Sequence, residues 1–521
     1  MVAPIGRRGF VAGAAALSAG LWPPRHGHAA ATMDFDEARH LLSRTSFGAT
    51  PAEIRALEAQ DYVRTVERLL AGARRDALTP PPGWLNEGPA ELQRQVRAAR
   101  EEAAEAKRKT GVDGKPLQPE RPLQEQGREL RNWWVEEMLA TDQPLTERMV
   151  LFWHNHFTSS LQKVRFPPAL FRQNALFRRE ALGNFATLLK EVARDPAMLI
   201  YLDGMRSVAR QPNENFAREL LELFTLGEGH YSEADIKAAA RAFTGWTVDR
   251  QTGHFQTRDN GHDGGEKTFL GQTGRFDGDQ IVAILLKHPR TAETIVEKLW
   301  REFVSLKPDP VEVRNLAAGF RATYEIKPLM RAILLSAQFR DPANRGALIK
   351  SPVELIVGTV HVLGLPVPEK TQLVRMMQGL GQMPFDPPNV KGWPGGESWI
   401  TTYTLLLRQQ FLRRIVEATT VASMEGAMMS SPRNRRIERR EQLPMRSDEG
   451  SMQMAEPRPV EGRSLRYAGD EAKLGPTLSG VDSATLLRTL LPRAPIDTVD
   501  PARTPGATVA AAMLDTAYQL K

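Results

Sequence analysis

The stretch Pro212-Asn213-Glu214-Asn215-Phe216-Ala217-Arg218-Glu219-Leu220-Leu221-Glu222-Leu223-Phe224-Thr225-Leu226-Gly227 decides the fold class. Asn213 is suited to cap a helix start and Gly227 to stop one, so the segment reads as a well-delimited helix. Phe216, Leu220, Leu223 and Phe224 supply its apolar stripe. On another face Asn215, Glu219 and Glu222 stand at i, i+4 and i+7, with Arg218 in reach of Glu214 or Glu222. Spacing alone favours a solvated face laced with ion pairs.

The same period extends in both directions and predicts a mainly α, multi-helix architecture. Phe35, Ala38, Leu41 and Leu42 recur at helical spacing, and Phe47-Gly48-Ala49-Thr50-Pro51 separates that helix from the next. Residues 91–109 read as a charged, solvated helix followed by a Pro/Gly-rich link, so 32–130 forms an N-terminal helical region with a charged excursion. Residues 131–246 form a central helical region. Glycines then punctuate 247–278, which predicts a loop bearing hairpins around pieces such as Lys267-Thr268-Phe269-Leu270. Helices are expected at 279–305, 310–337, 346–364 and 400–420 within a C-terminal helical region, 279–423, interrupted by the loop Pro387 to Gly396. Residues 424–475, rich in Arg, Glu, Met, Ser and Pro, read as a disordered insert, and 476–521 as two short returning helices.

A chain of 521 residues with 41% hydrophobic and 25% charged residues has the composition of a globular protein large enough to bury a sizeable core. The absence of cysteine excludes disulfides, thiolate metal sites and a cysteine nucleophile. Any metal must therefore sit on His, Asp, Glu or neutral oxygen. The net charge is +7, and Arg7, Arg8 and Arg25 lie ahead of the first acid, Asp34, so removing that segment leaves +4. Such a small excess, with no RNA-binding signature or zinc-finger spacing, gives no case for nucleic acid. No Gly-rich phosphate loop, Gly-x-Ser-x-Gly elbow or dinucleotide fingerprint occurs.

Gly6-Arg7-Arg8-Gly9-Phe10-Val11, a short apolar run to Trp22 and the small residues near Ala29-Ala30-Ala31 read as a twin-arginine signal peptide over residues 1–31. The apolar run is well short of the roughly 20 residues that span a bilayer, so no stable membrane span is expected. This reading predicts handling by the twin-arginine export machinery and a periplasmic or secreted location.

Several groups of residues could carry chemistry. His154 and His156 lie among Phe152, Trp153 and Phe157. On a strand the two would face one way and could chelate; on a continuous helix they diverge by about 200°. Two carboxylates, Glu219 and Glu222, stand on one helical stripe, with Asp203 before and His230 after that helix. Together these residue types suffice for a divalent metal ion. His262 and Asp263, with His254, lie in the glycine-rich loop, where they could move a proton or simply close a turn. Glu37 and His40 form a single Glu-x-x-His pair of the kind that di-iron bundles use twice.

The runs Leu151-Phe152-Trp153-His154-Asn155-His156-Phe157, Ala181-Leu182-Gly183-Asn184-Phe185, Asp195-Pro196-Ala197-Met198, Pro212 to Glu219, Ala242-Phe243-Thr244-Gly245-Trp246 and Lys350-Ser351-Pro352-Val353-Glu354 resemble, in order, the bacterial family catalogued as domain of unknown function eighteen hundred. The resemblance spans about residues 36–420. It implies an exported, mainly helical protein, often encoded beside a second exported protein that looks distantly like sulfatases and alkaline phosphatases. It carries no catalytic role with it.

Two readings of function stand. One is a periplasmic metal-dependent enzyme, hydrolytic rather than redox, with His154, His156, Glu219 and Glu222 holding the ion and His262 or Asp263 handling a proton. The other is a non-catalytic binding or assembly partner of the sulfatase-like exported protein.

Overall fold

The computed structural model describes residues 32–110, 121–367, 369–429, 477–478, 480–496 and 504–521. The segment 1–31 expected to be an export signal and nearly all of the expected insert lie outside these residues. The helix Thr402–Met429 runs into the first positions of the range expected to be disordered.

Helices dominate, and the four short strands form two separate antiparallel hairpins, Trp246–Val248 with Phe255–Thr257 and Lys267–Phe269 with Gln272–Gly274. Both hairpins fall in the glycine-rich segment. Elsewhere the boundaries follow local chemistry. Asp34 and Glu37 form a capping box at the start of Phe35–Thr45, and Thr50 and Glu53 another at Pro51–Leu57. The helix expected over 279–305 is two helices, Gly278–Lys287 and Pro289–Phe303. Pro289 lacks an N–H and pushes His288 out of the helical region, to φ −72 and ψ 128. The 310–337 segment likewise divides into Pro310–Thr323 and Ile326–Leu334, at Tyr324 in the left-handed conformation. The 346–364 helix starts only at Pro352, where Ser351 and Glu354 make a capping box.

Two helices run through the middle of the core. Pro144–His156 buries every side chain from Leu145 to His154, and Pro352–Val362 is buried at every position except His361. A helix covered on all sides has neighbours on all sides. Gly358 marks one close approach, because a Cβ there would run into the Phe47 carbonyl. The C-terminal residues return to the same place, with Ile349 bridged to Leu520 and the Lys350 N–H donating to the Gln519 carbonyl at 2.7 Å.

Candidate functional site

The helix Pro144–His156 carries Glu147, Arg148, His154, Asn155 and His156 toward partners on several other elements. Glu147 accepts from Arg178 at 2.6 and 2.8 Å and from the Trp134 indole at 2.9 Å. Arg148 pairs with Glu302 at 2.7 Å and with Glu354. His154 Nε2 accepts from the Phe385 N–H at 3.2 Å, inside a ring of Trp134, Phe177, Phe385 and Trp393. Asn155 both accepts from the Trp393 N–H at 2.7 Å and donates to its carbonyl at 3.3 Å. His156 Nδ1 lies 3.0 Å from Lys298 Nζ. Burial without an ionic partner is costly, so these pairings hold the helix in one place.

Glu219 and Glu222 sit where the helix changes form. Glu214–Glu219 is α-helical, and Leu220–Thr225 continues it as a π-helix, with the Leu226 N–H reaching back five residues to the Leu221 carbonyl at 2.8 Å. The Gly227 N–H bonds to Leu221 as well, which leaves the Leu223 carbonyl free to accept from Lys298 Nζ at 2.7 Å. Such wide turns recur at functional sites. Glu222 accepts from Tyr231 at 3.1 Å and pairs with Lys391 at 3.4 Å, while Lys391 also reaches Glu228 at 3.1 Å. Burial and the neighbouring Glu222 charge raise the Glu219 carboxyl above its usual range, and Lys391 and Arg218 offset only part of this.

Beside the core helix lies a cavity of about 70 Å³, lined by Phe152, Asn155, Arg301, Glu302, Ser351, Glu354, Gln382, Gly395, Gly396, Trp399 and Lys521 among others. Its acid walls are tied together from behind. Glu354 binds Arg148 and Lys521, and its second oxygen accepts from the Ser351 N–H at 2.7 Å. Burial pushes the Glu302 carboxyl upward, but Lys521 and Arg148 more than reverse it, so this group stays ionised. Gln382 accepts from the Val353 N–H at 3.0 Å, occupying one of the free donors at the start of Pro352–Val362. Three stretches far apart in sequence thus share one cavity: the His154-Asn155-His156 turn, the Lys350 to Glu354 run and the Trp393 to Gly396 loop.

A family model described as Protein of unknown function (DUF1800) matches residues 40–515. The chain belongs to that family. Neither a curated protein nor a solved structure shows detectable similarity to it. The resemblance read from the ordered runs thus extends over nearly the whole chain, and three of the segments that surround the cavity lie inside the matched range.

The two histidines expected to hold an ion with Glu219 and Glu222 are separated by the helix that carries them. Both histidines belong to one unbroken helix, so their rings leave it in different directions. His154 meets Trp134, Phe385 and Trp393, whereas His156 meets Phe152, Phe157 and Phe224. The Lys298 ammonium stands at His156 Nδ1, leaving Nε2 without a hydrogen-bond partner, and Lys391 serves Glu222. Among the described residues no three His, Asp or Glu side chains are grouped to hold a metal. Burial drives His154 down to about 3 and His156 well below its ordinary value, which keeps both rings neutral.

Asp263, expected to handle a proton, is instead clamped by Arg241 at 2.6 and 3.2 Å, which together with the Gly265 N–H holds its carboxyl down to about 2. A carboxylate so held does not take up a proton near neutral pH. His262 anchors its turn through Nδ1, 3.0 Å from the Thr244 carbonyl. Glu37 pairs with Arg340 at 2.9 Å and His40 bonds to the Phe339 carbonyl at 2.9 Å, so the Glu-x-x-His pair is divided between two partners.

Residues that sequence reading passed over are Glu302, Glu354, Arg148, Lys298 and Lys521. Glu354 stood in a quoted family run, and its place three residues after Ser351 marks a capping box. Glu302 and Lys298 lie on one helix at i and i+4 with no local feature that points inward.

Proposed function

We propose that the chain is an exported, non-catalytic binding or assembly protein, and that its partner is the sulfatase-like exported protein its family resemblance implies. One observation carries this reading: an apolar surface beside the Trp393 to Gly396 loop. Tyr403, Leu406 and Leu306 are 65%, 55% and 41% exposed. Leu405 and Leu406 line, with Ile400 and Arg413, a surface groove of about 490 Å³. Large apolar side chains gathered on one exposed face mark surfaces that meet other proteins. Asn155 of the quoted runs supports the same reading, since it fixes the loop beside this face. Leu306 packs under Gly396, and Asn155 fixes Trp393.

The test is co-expression with the neighbouring sulfatase-like protein, followed by size-exclusion chromatography with light scattering on the purified mixture. A defined complex is expected, and Leu406→Glu should dissociate it without lowering the melting temperature. A chain that stays alone, yet binds divalent metal stoichiometrically and hydrolyses a substrate, would return the metal-enzyme reading. Export is tested separately: Arg7→Lys with Arg8→Lys should strand the precursor in the cytoplasm, because the receptor reads the guanidinium pair rather than charge alone.

A further inference from the structure

A second cavity, of about 40 Å³, lies between the helix Phe35–Thr45 and the C-terminal turn, and Arg39, Lys350, Glu354, Tyr518 and Lys521 are among the residues around it. It has room for a few water-sized bodies. Its lining is rich in cations. Glu354 is the one acid among the described lining residues, and it is already shared by Arg148 and Lys521. Arg39 is 5% exposed; one terminal nitrogen donates to the Pro492 carbonyl at 3.3 Å, and its Nε has no partner. Asp36, whose charge also acts on Arg39, is engaged by Arg488 at 3.3 Å. Lys350 is half-buried, with its Nζ 3.9 Å from the Tyr518 ring centroid. Behind them Arg44 is fully buried, with Nε and one terminal nitrogen unpartnered.

Buried cations without counter-charge raise the free energy of the fold unless something neutralises them. Burial, reinforced by Arg39, Arg408 and Lys521, drags the Lys350 ammonium down to about 7, and burial brings Arg39 to about 10. A bound anion would relieve both. The donor atoms left over are those of a guanidinium and an ammonium, the pair that suits an oxyanion.

We propose that this cavity binds one small tetrahedral oxyanion of the sulfate or phosphate class, held between Lys350 Nζ and the Arg39 guanidinium. The small volume favours the free ion over an ester or a lipid headgroup.

The experiment is calorimetric titration and thermal melting of the purified full chain with sodium sulfate and sodium phosphate, against sodium chloride of equal ionic strength and against glycerol phosphate. A saturable rise in melting temperature is expected with the two oxyanions alone. Lys350→Met should weaken binding by about tenfold or more, while Lys190→Met, at an exposed position, should leave it unchanged. No saturable response, equal binding of the ester, or unaltered affinity in Lys350→Met would overturn the proposal. Should Lys350→Met fail to fold, crystals of the unaltered chain soaked in selenate decide it: an anomalous peak between Lys350 and Arg39 is expected, and its absence from the cavity refutes the assignment.

Discussion

Lys298 Nζ lies 3.0 Å from His156 Nδ1 and 2.7 Å from the Leu223 carbonyl, so one buried ammonium joins the core helix to the π turn. The carbonyl is available only because the wide turn releases it, and the imidazole accepts only because burial keeps it neutral. A single cation thereby couples the histidine run to the glutamate helix, in the place where a shared metal was expected.

This coupling has a pH signature. Burial, with a smaller effect from Arg301, lowers Lys298 from 10.5 to about 8. Between those values the unfolded chain binds more protons than the folded one, so this residue makes stability rise as pH increases from about 8 to about 10.5. Lys298→Met removes the titration. The stability of the unaltered chain relative to that variant should therefore grow between pH 8 and pH 10, as followed by urea unfolding. A difference that stays flat would show that burial carries no penalty for the Lys298 ammonium.

The ion pair of Glu147 and Arg178 is enclosed, with each side chain 1% exposed. Arg178→Met leaves the Glu147 carboxylate with the Trp134 indole as its remaining partner. Removing one member of a buried pair typically costs about 3–5 kcal/mol. Replacing both, by adding Glu147→Leu, should cost less than the sum of the two single changes. Denaturant midpoints of the four chains give the coupling directly, and strict additivity would mean that the pair does not interact in the folded state.

Helices were legible because their period and their caps are local: Asn213 accepts from the Asn215 N–H, and Gly227 ends the segment at φ +83. The glycine spacing likewise foretold the hairpins. Partners were not legible, because nothing in a periodic pattern says which residue 206 positions away will face Arg148, as Glu354 does. The π turn was hidden for a related reason. Leu220 to Thr225 has an ordinary helical composition, and the carbonyl its wide turn frees is met by Lys298, which lies on a different helix. The candidate site therefore showed itself as separate runs whose common cavity only the tertiary structure reveals.

The Trp393 to Gly396 loop should loosen when its tie to Asn155 is cut. Asn155→Ala removes both hydrogen bonds to Trp393. Gly392→Ala acts from the other side: its φ of +81 disfavours any Cβ, and the added carbon would meet the Asn155 carbonyl oxygen at 2.6 Å. Both variants should become sensitive to limited proteolysis between residues 387 and 399 while the helical circular dichroism is retained. Unchanged cleavage in both would mean that the loop is held by other contacts.

Asp195 offers the opposite pH dependence. It caps Pro196–Tyr201 by accepting from the Met198 N–H at 2.8 Å, and Gln173 donates to it at 2.7 Å, yet no cation pairs with it closely. Burial raises its carboxyl from 3.8 to about 7, with these hydrogen bonds and the more distant Arg172 charge offsetting only part of the effect. The folded chain then binds more protons than the unfolded one across that window, so this group lowers stability as pH rises from about 4 to about 7. Asn caps a helix as well as Asp and accepts the same two hydrogen bonds without ionising. Asp195→Asn should accordingly be close to neutral at pH 4 and stabilising at pH 7.5, by on the order of 1 kcal/mol or more. Melting curves at the two pH values check this. A variant destabilised equally at both would show that the carboxylate is satisfied where it lies, and that its burial carries no ionisation penalty.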